Sequence, residues 1–187
     1  KAFRRLLSFV KPGVMEYEIE AELMHEFLRN RSKGEAYGSI IASGASACTL
    51  HYVENNRECK SGDLLLMDFG AEYANYASDL TRTIPVNGKF TKRQKAVYTS
   101  VLNVQKEAIK MLVPGINIHE YHKEVGKMME SELLSLKLID KTDIKNQDPK
   151  WPAYKKYFMH GLGHPIGLDV HDVGDTTKPM QAGWVMT

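Results

Sequence analysis

The sequence predicts a mixed α+β fold, and three observations carry that prediction. Residues 16–30 and the stretch between Thr91 and Pro114 repeat apolar side chains at helical spacing. The run Ser61-Gly62-Asp63 followed by Leu64-Leu65-Leu66-Met67 reads as a turn leading into a buried strand. Two helix stops of identical type, Pro12-Gly13 and Pro114-Gly115, separate successive helical stretches.

The elements follow in chain order. Residues 1–11 read as the end of a helix halted at Pro12-Gly13. In residues 16–30, Ile19, Leu23 and Phe27 form one stripe, with Met24 and Leu28 beside it. Residues 36–55, AYGSIIASGASACTLHYVEN, mix β-branched residues with Gly and Ser and predict short strands and loops. Asn87-Gly88 marks a turn, and Thr91 is a natural N-cap for a helix with a stripe of Val97, Val101, Val104, Ala108 and Met111. A further helix opens near Asn117, with Glu120 in a capping-box-like position, and carries Val125, Met128, Met129, Leu133 and Leu136. Residues 140–153 read as a polar loop, and 154–187 as Gly-rich and strand-like. The stretches FVKPGVMEYEIEAELMHEFL and MLVPGINIHEYHKEVGKMME both read helix, stop, helix. That echo is compatible with coincidence or with two similar α+β halves facing one another across a shared site.

The length of 187 residues fits one ordinary domain. With 43% hydrophobic and 26% charged residues, the chain has the means for a sizeable core and lacks the composition of disorder. A net charge of +2 without a dense basic run points away from nucleic acid as a partner. No apolar run approaches the length of a membrane span. Cys48 and Cys59 lack metal-finger spacing and are read as reduced thiols of a cytoplasmic protein, the alternative being a single disulfide. The opening KAFRRLLSFVKPG has neither an initiator Met nor a long apolar core of a signal peptide, and reads as a piece of a longer protein entered in mid-helix.

Two constellations carry chemistry. On a strand over 64–70, Leu64, Leu66 and Asp68 share one face, and Leu65, Met67 and Phe69 the other. A hairpin centred on Tyr73-Ala74 then sets Asp68 directly opposite Asp79, with Cβ atoms roughly 4.5–5.5 Å apart. Like charges at that spacing repel unless a cation lies between them, and a pair of ions roughly 3.5–4 Å apart fits the gap. The competing reading has one aspartate capping a turn and the other solvated. The second constellation is 158–175, FMHGLGHPIGLDVHDVGD, with His160, His164 and His171 beside Asp169 and Asp172. Its glycines and proline oppose a helix, and the helical zinc-protease motif is absent. A Gly-rich loop leading into a strand would hold the imidazoles around a cleft. A lone histidine is more often structural, but three within twelve positions favour function.

The segments MDFGAEYANYASDLTRTIPVNGKFT, LHYVEN and FMHGLGHPIGLDVHDVG together resemble the catalytic domain of aminopeptidase P and prolidase, the pita-bread metallopeptidases. The resemblance runs from about Val10 to Thr187. It implies a pita-bread fold, a pseudo-two-fold pair of α+β halves around a curved antiparallel sheet, with residues 1–187 as one incomplete catalytic domain. It implies metal ligands at Asp68, Asp79 and His164, and supporting catalytic histidines at His51, His160 and His171. The family's two glutamate ligands fall beyond Thr187 and its N-terminal domain is missing, so the chain as given is expected to be inactive.

The activity so implied is hydrolysis of an Xaa-Pro bond at a peptide amino terminus by metal-activated water, with two divalent ions. Carboxylate-dominated ligation suits Mn²⁺, with Co²⁺ or Zn²⁺ as other occupants. The implied partner is a peptide with Pro at its second position; homo-oligomerisation of a full-length enzyme is left open. Two alternatives stand beside it: an Xaa-Pro dipeptidase of the prolidase type, and a non-catalytic pita-bread module that binds peptides or histone-like proteins.

Overall fold

The computed structural model describes residues 1–187. The backbone separates into two compact units. The first comprises Lys1–Thr91, His164–Val173 and Val185–Thr187; the second comprises Lys92–Gly163 and Gly174–Trp184.

In the first unit, α1 (Ala2–Phe9) and α2 (Glu16–Arg29) flank the Pro12-Gly13 stop. Gly13 takes a positive φ of 92°, a conformation open to glycine, and its N–H bonds to the Cys59 carbonyl at 2.9 Å. The chain continues through β1 (Gly34–Glu35), β2 (Ile40–Ser43) and a 3₁₀ turn over Gly44–Cys48. It then forms β3 (Leu64–Phe69), β4 (Ala71–Glu72) and β5 (Leu80–Pro85). β2, β3 and β5 build an antiparallel sheet in that order, while β1 and β4 pair separately.

The alternation expected along β3 is present. Leu65, Met67 and Phe69 are buried, and Leu64, Leu66 and Asp68 lie on the opposite, half-buried face. The buried face meets the expected α2 stripe of Ile19, Leu23 and Phe27, joined by Leu6 and Ile41. Each such side chain contributes about 1.5–3 kcal/mol of burial free energy. Helix spacing on one side and strand spacing on the other therefore converge on one core.

The second unit repeats the helix, stop, helix pattern. α3 (Lys92–Met111) starts one residue after Thr91, and Gly115 has a φ of 94°. α4 (Ile118–Ser135) is capped by Asn117, whose side chain accepts from the N–H groups of His119 and Glu120. Tyr121, Val125, Met129 and Leu133 form its buried stripe, at intervals of four. Three expectations fail here. On α3 the buried residues are Ser100, Val104 and Ala108, and Val101 is 50% exposed, because a row at intervals of four excludes it. Residues 140–153 are not wholly loop: Asp140 and Asp143 form a capping box that starts a short α5 (Lys141–Lys145). The strands expected over 154–187 are absent, and no strand follows the helix pair in the second unit. Gly161, Gly163, Pro165 and Gly167 deprive that segment of the regular donors and side-chain packing a ladder needs. Only Pro165 and Met186 form an isolated bridge, where His164 and Thr187 exchange backbone hydrogen bonds of 3.3 and 3.0 Å.

Candidate metal centre

The centre begins with the hairpin between β3 and β5. Ala74 and Asn75 both take positive φ, 52° and 69°, and Tyr73 and Tyr76 bridge across them. This two-residue turn sits one position later than the expected centre at Tyr73-Ala74. Asp68 consequently faces Thr81, and Asp79 is not directly opposite it. Moving a hairpin centre by one residue moves the register by two, so both aspartates stay on the same face, now as diagonal neighbours. Gly70 stands where the arms approach most closely. A Cβ there would lie 1.6 Å from the Ser78 carbonyl oxygen, so the arms meet only because that position has no side chain.

Tyr37, just before β2, brings the carboxylates together. Its hydroxyl donates to Asp68 Oδ1 and stands 3.1 Å from Asp79 Oδ1. A phenol has one proton, so a single donor serves two acceptors. Burial raises the pKa of Asp68; the Tyr37 bond opposes that rise, and the Asp79 charge adds to it. Burial and then the Asp68 bond push the Tyr37 phenol far above its ordinary range, so it keeps its proton. Sequence reasoning missed Tyr37, because an isolated tyrosine in a Gly- and Ser-rich stretch carries no motif.

His164 completes the group. Its Nε2 lies 3.3 Å from Asp79 Oδ2, and its Nδ1 is 2.9 Å from the Pro165 carbonyl oxygen. A carbonyl only accepts, so Nδ1 carries the proton of that bond and Nε2 is the nitrogen turned toward Asp79. An imidazole anchored through one nitrogen, with the other beside a carboxylate, is the usual dress of a metal-binding histidine. The His171 ring packs edge-on against His164, with centroids 4.2 Å apart. His51, solvent-exposed and held at a φ of 54°, lines the same cleft of about 530 Å³ as Tyr37, the two aspartates and both of these histidines.

The donor chemistry fits a divalent cation: two carboxylates gathered on one face, one with its ionisation opposed by burial, and an imidazole nitrogen. The fit is of donor type rather than of a finished cage, since no three His, Cys, Asp or Glu side chains are spaced to enclose an ion. His160 belongs to the second unit, where its ring meets Phe158 edge-on at 5.0 Å and its Nδ1 lies 2.8 Å from the Gly161 carbonyl oxygen. The segment after His164 is not the expected strand. It bends back on itself, with Asp172 accepting from the N–H groups of Leu168 and Val173. Cys48 and Cys59 are free thiols.

Comparison with known proteins places the chain in a family. The model of metallopeptidase family M24 matches residues 1–187. The Xaa-Pro aminopeptidase of Haemophilus influenzae is 44% identical over 187 residues, covering 98% of this chain and 43% of that protein. The Xaa-Pro aminopeptidase of Escherichia coli is 41% identical over 192 residues, again covering 43% of its length. Zinc-substituted E. coli aminopeptidase P in complex with product superposes with a TM-score of 0.91 at 40% identity, over 99% of this chain and 42% of that one. The E. coli enzyme with the inhibitor Pro-Leu gives the same TM-score and identity, over 99% of this chain and 43% of that one. The chain has the pita-bread fold of these metallopeptidases and belongs to metallopeptidase family M24. It spans less than half the length of the relatives it matches. No helix is long and apolar enough to cross a membrane.

Proposed function

We propose that this chain is part of the catalytic domain of a metal-dependent aminopeptidase that hydrolyses the Xaa-Pro bond at the amino terminus of peptides. The observation that carries the reading is the gathering of Asp68 and Asp79 around one tyrosine hydroxyl, with His164 Nε2 3.3 Å from Asp79. Asp68, Asp79 and His164 would hold divalent metal, with Mn²⁺ the best match to carboxylate-rich ligation and Co²⁺ or Zn²⁺ as other occupants. When bound, the metal supplies Lewis acidity and a water ionised near neutral pH.

The chain's own side chains do the rest. Tyr37 keeps its proton and steadies Asp68 Oδ1. The Nδ1–H of His164, bonded to the Pro165 carbonyl, fixes that ring. His51 and His171 present imidazole N–H groups at the cleft, where they stabilise negative charge as it develops on the scissile carbonyl oxygen. The family resemblance gives His160 a supporting role in orienting the substrate. A peptide with Pro at its second position and a cytoplasmic location belong to the same reading.

The test is to express the longer protein containing residues 1–187 and assay it on Xaa-Pro tripeptides and dipeptides after loading with Mn²⁺. Cleavage of tripeptides with two metal equivalents per chain supports the aminopeptidase. Cleavage restricted to dipeptides would replace it with a prolidase. Absence of both metal and turnover would leave a peptide-binding module.

A further inference from the structure

His51 precedes a stretch, residues 52–57, with no helix or ladder to hold it, yet two of its side chains are almost fully buried: Tyr52 at 7% exposure and Asn55 at 2%. Each is tied to a different element. The Tyr52 hydroxyl donates to Glu16 Oε2 at 2.7 Å, and the backbone N–H of Arg57 donates to the same oxygen at 3.0 Å. Glu16 Oε1 accepts from the Ser43 N–H and hydroxyl, both at 2.7 Å. Four uncharged donors thus fill the four lone-pair sites of a carboxylate with 0% exposure. Glu16 is also the first residue of α2, where the helix dipole favours negative charge.

Asn55 performs a different task. Its Oδ1 accepts from the Ile41 N–H at 2.9 Å, and its Nδ2 donates to the Ser39 carbonyl at 2.8 Å and to Glu20 Oε2 at 3.0 Å. The side-chain amide therefore occupies the outer edge of β2 as a neighbouring strand would. Within β2, Ile40 lies opposite Asp68 in β3. The stretch after His51 is thereby indexed to the strand that carries the first aspartate.

We propose that Glu16 and Asn55 are positioning residues: through Tyr52 and the β2 edge they fix His51, in its left-handed backbone conformation, at the cleft that holds Asp68 and Asp79. The claim rests on the catalytic reading of His51 given above. Neither Glu16 nor Asn55 lines that cleft. Their effect on the reaction passes through placement of the imidazole, and displacement by even an ångström carries a large kinetic cost.

The experiment is a double-mutant cycle in the metal-loaded longer protein, with an Xaa-Pro tripeptide as substrate. Tyr52→Phe removes one donor from Glu16 while retaining the ring. It is expected to lower kcat about tenfold with KM changed less than twofold. In a His51→Ala background the same substitution is expected to change nothing further. An undiminished tenfold loss in that background overturns the positioning role and leaves the His51 reading intact. Full turnover by His51→Ala alone overturns the catalytic reading of His51, and the coupling with it. Should Tyr52→Phe not fold, Asn55→Asp enters the same cycle. It keeps the acceptor for Ile41, loses the donors to Ser39 and Glu20 and sets a carboxylate against that of Glu20, and suits the positive φ of 44° at that position.

Discussion

The two units open alike and end differently. Each starts with two helices separated by Pro-Gly, with the glycine at a φ near 90°, 92° in one and 94° in the other. In the first, α2 meets a sheet, and Leu6, Ile19, Ile41, Cys59, Leu65 and Met67 all reach zero exposure. In the second, no sheet follows, and only Val125 among its apolar residues is fully buried. Val101, Ile109 and Val113 stay at least half exposed. The same local signal thus yields a dense core only where alternating strand residues supply the opposing face. The candidate metal centre grows from the unit whose strands do so.

The largest test of that asymmetry is Asp68→Ala in the metal-loaded longer protein. Activity should fall on the order of 10³-fold or more while the melting temperature of the metal-free form holds or rises. The residue sits on the half-buried face and its ionisation is opposed by burial, so the core loses nothing with it. Loss of folding in circular dichroism would show instead that Asp68 is structural.

Next is Gly70→Ala. A new Cβ against the Ser78 carbonyl must push the hairpin arms apart, which should cost about 3 kcal/mol in urea unfolding and weaken metal uptake measured by calorimetry. Core truncations sharpen the comparison directly. Leu65→Ala should cost about 3 kcal/mol and Val104→Ala about 1.5 kcal/mol. An equal or reversed pair of unfolding free energies would dissolve the distinction between the two cores.

The smallest effect is a slope. Burial pushes the Cys59 thiol up to about 11. The folded state therefore holds the proton that the unfolded chain releases near its usual value of about 8.5. Stability contributed by this group is complete below about 8.5 and declines as pH rises to 11. Cys59→Ala should flatten stability over that window. Alkylation at pH 8 should reach exposed Cys48 and spare Cys59.

Much of this was legible in the residues. Ile19, Leu23 and Phe27 marked the inward face of α2 because helical spacing leaves little freedom over four turns. Leu65, Met67 and Phe69 did the same for β3. The hairpin register was off by two residues because an alanine at positive φ, Ala74, gives no turn signal comparable to Asn-Gly. The even shift spared the conclusion that both aspartates share a face. The tail differs from the expected strands because its glycines and prolines weaken a ladder, and the Val, Ile and Leu residues between them find no pairing strand. Tyr37, Glu16 and Asn55 were not foreseen, since each acts through tertiary hydrogen bonds to residues far along the chain.

The placement of Asn55 has a consequence for solubility as well as for geometry. β2 is paired on one side by β3, and a bare strand flank is a template on which another polypeptide can add itself. A primary amide that imitates a peptide group caps that template with a fragment too short to propagate. Such a plug guards the sheet against accretion of further copies of the chain for the cost of one side chain.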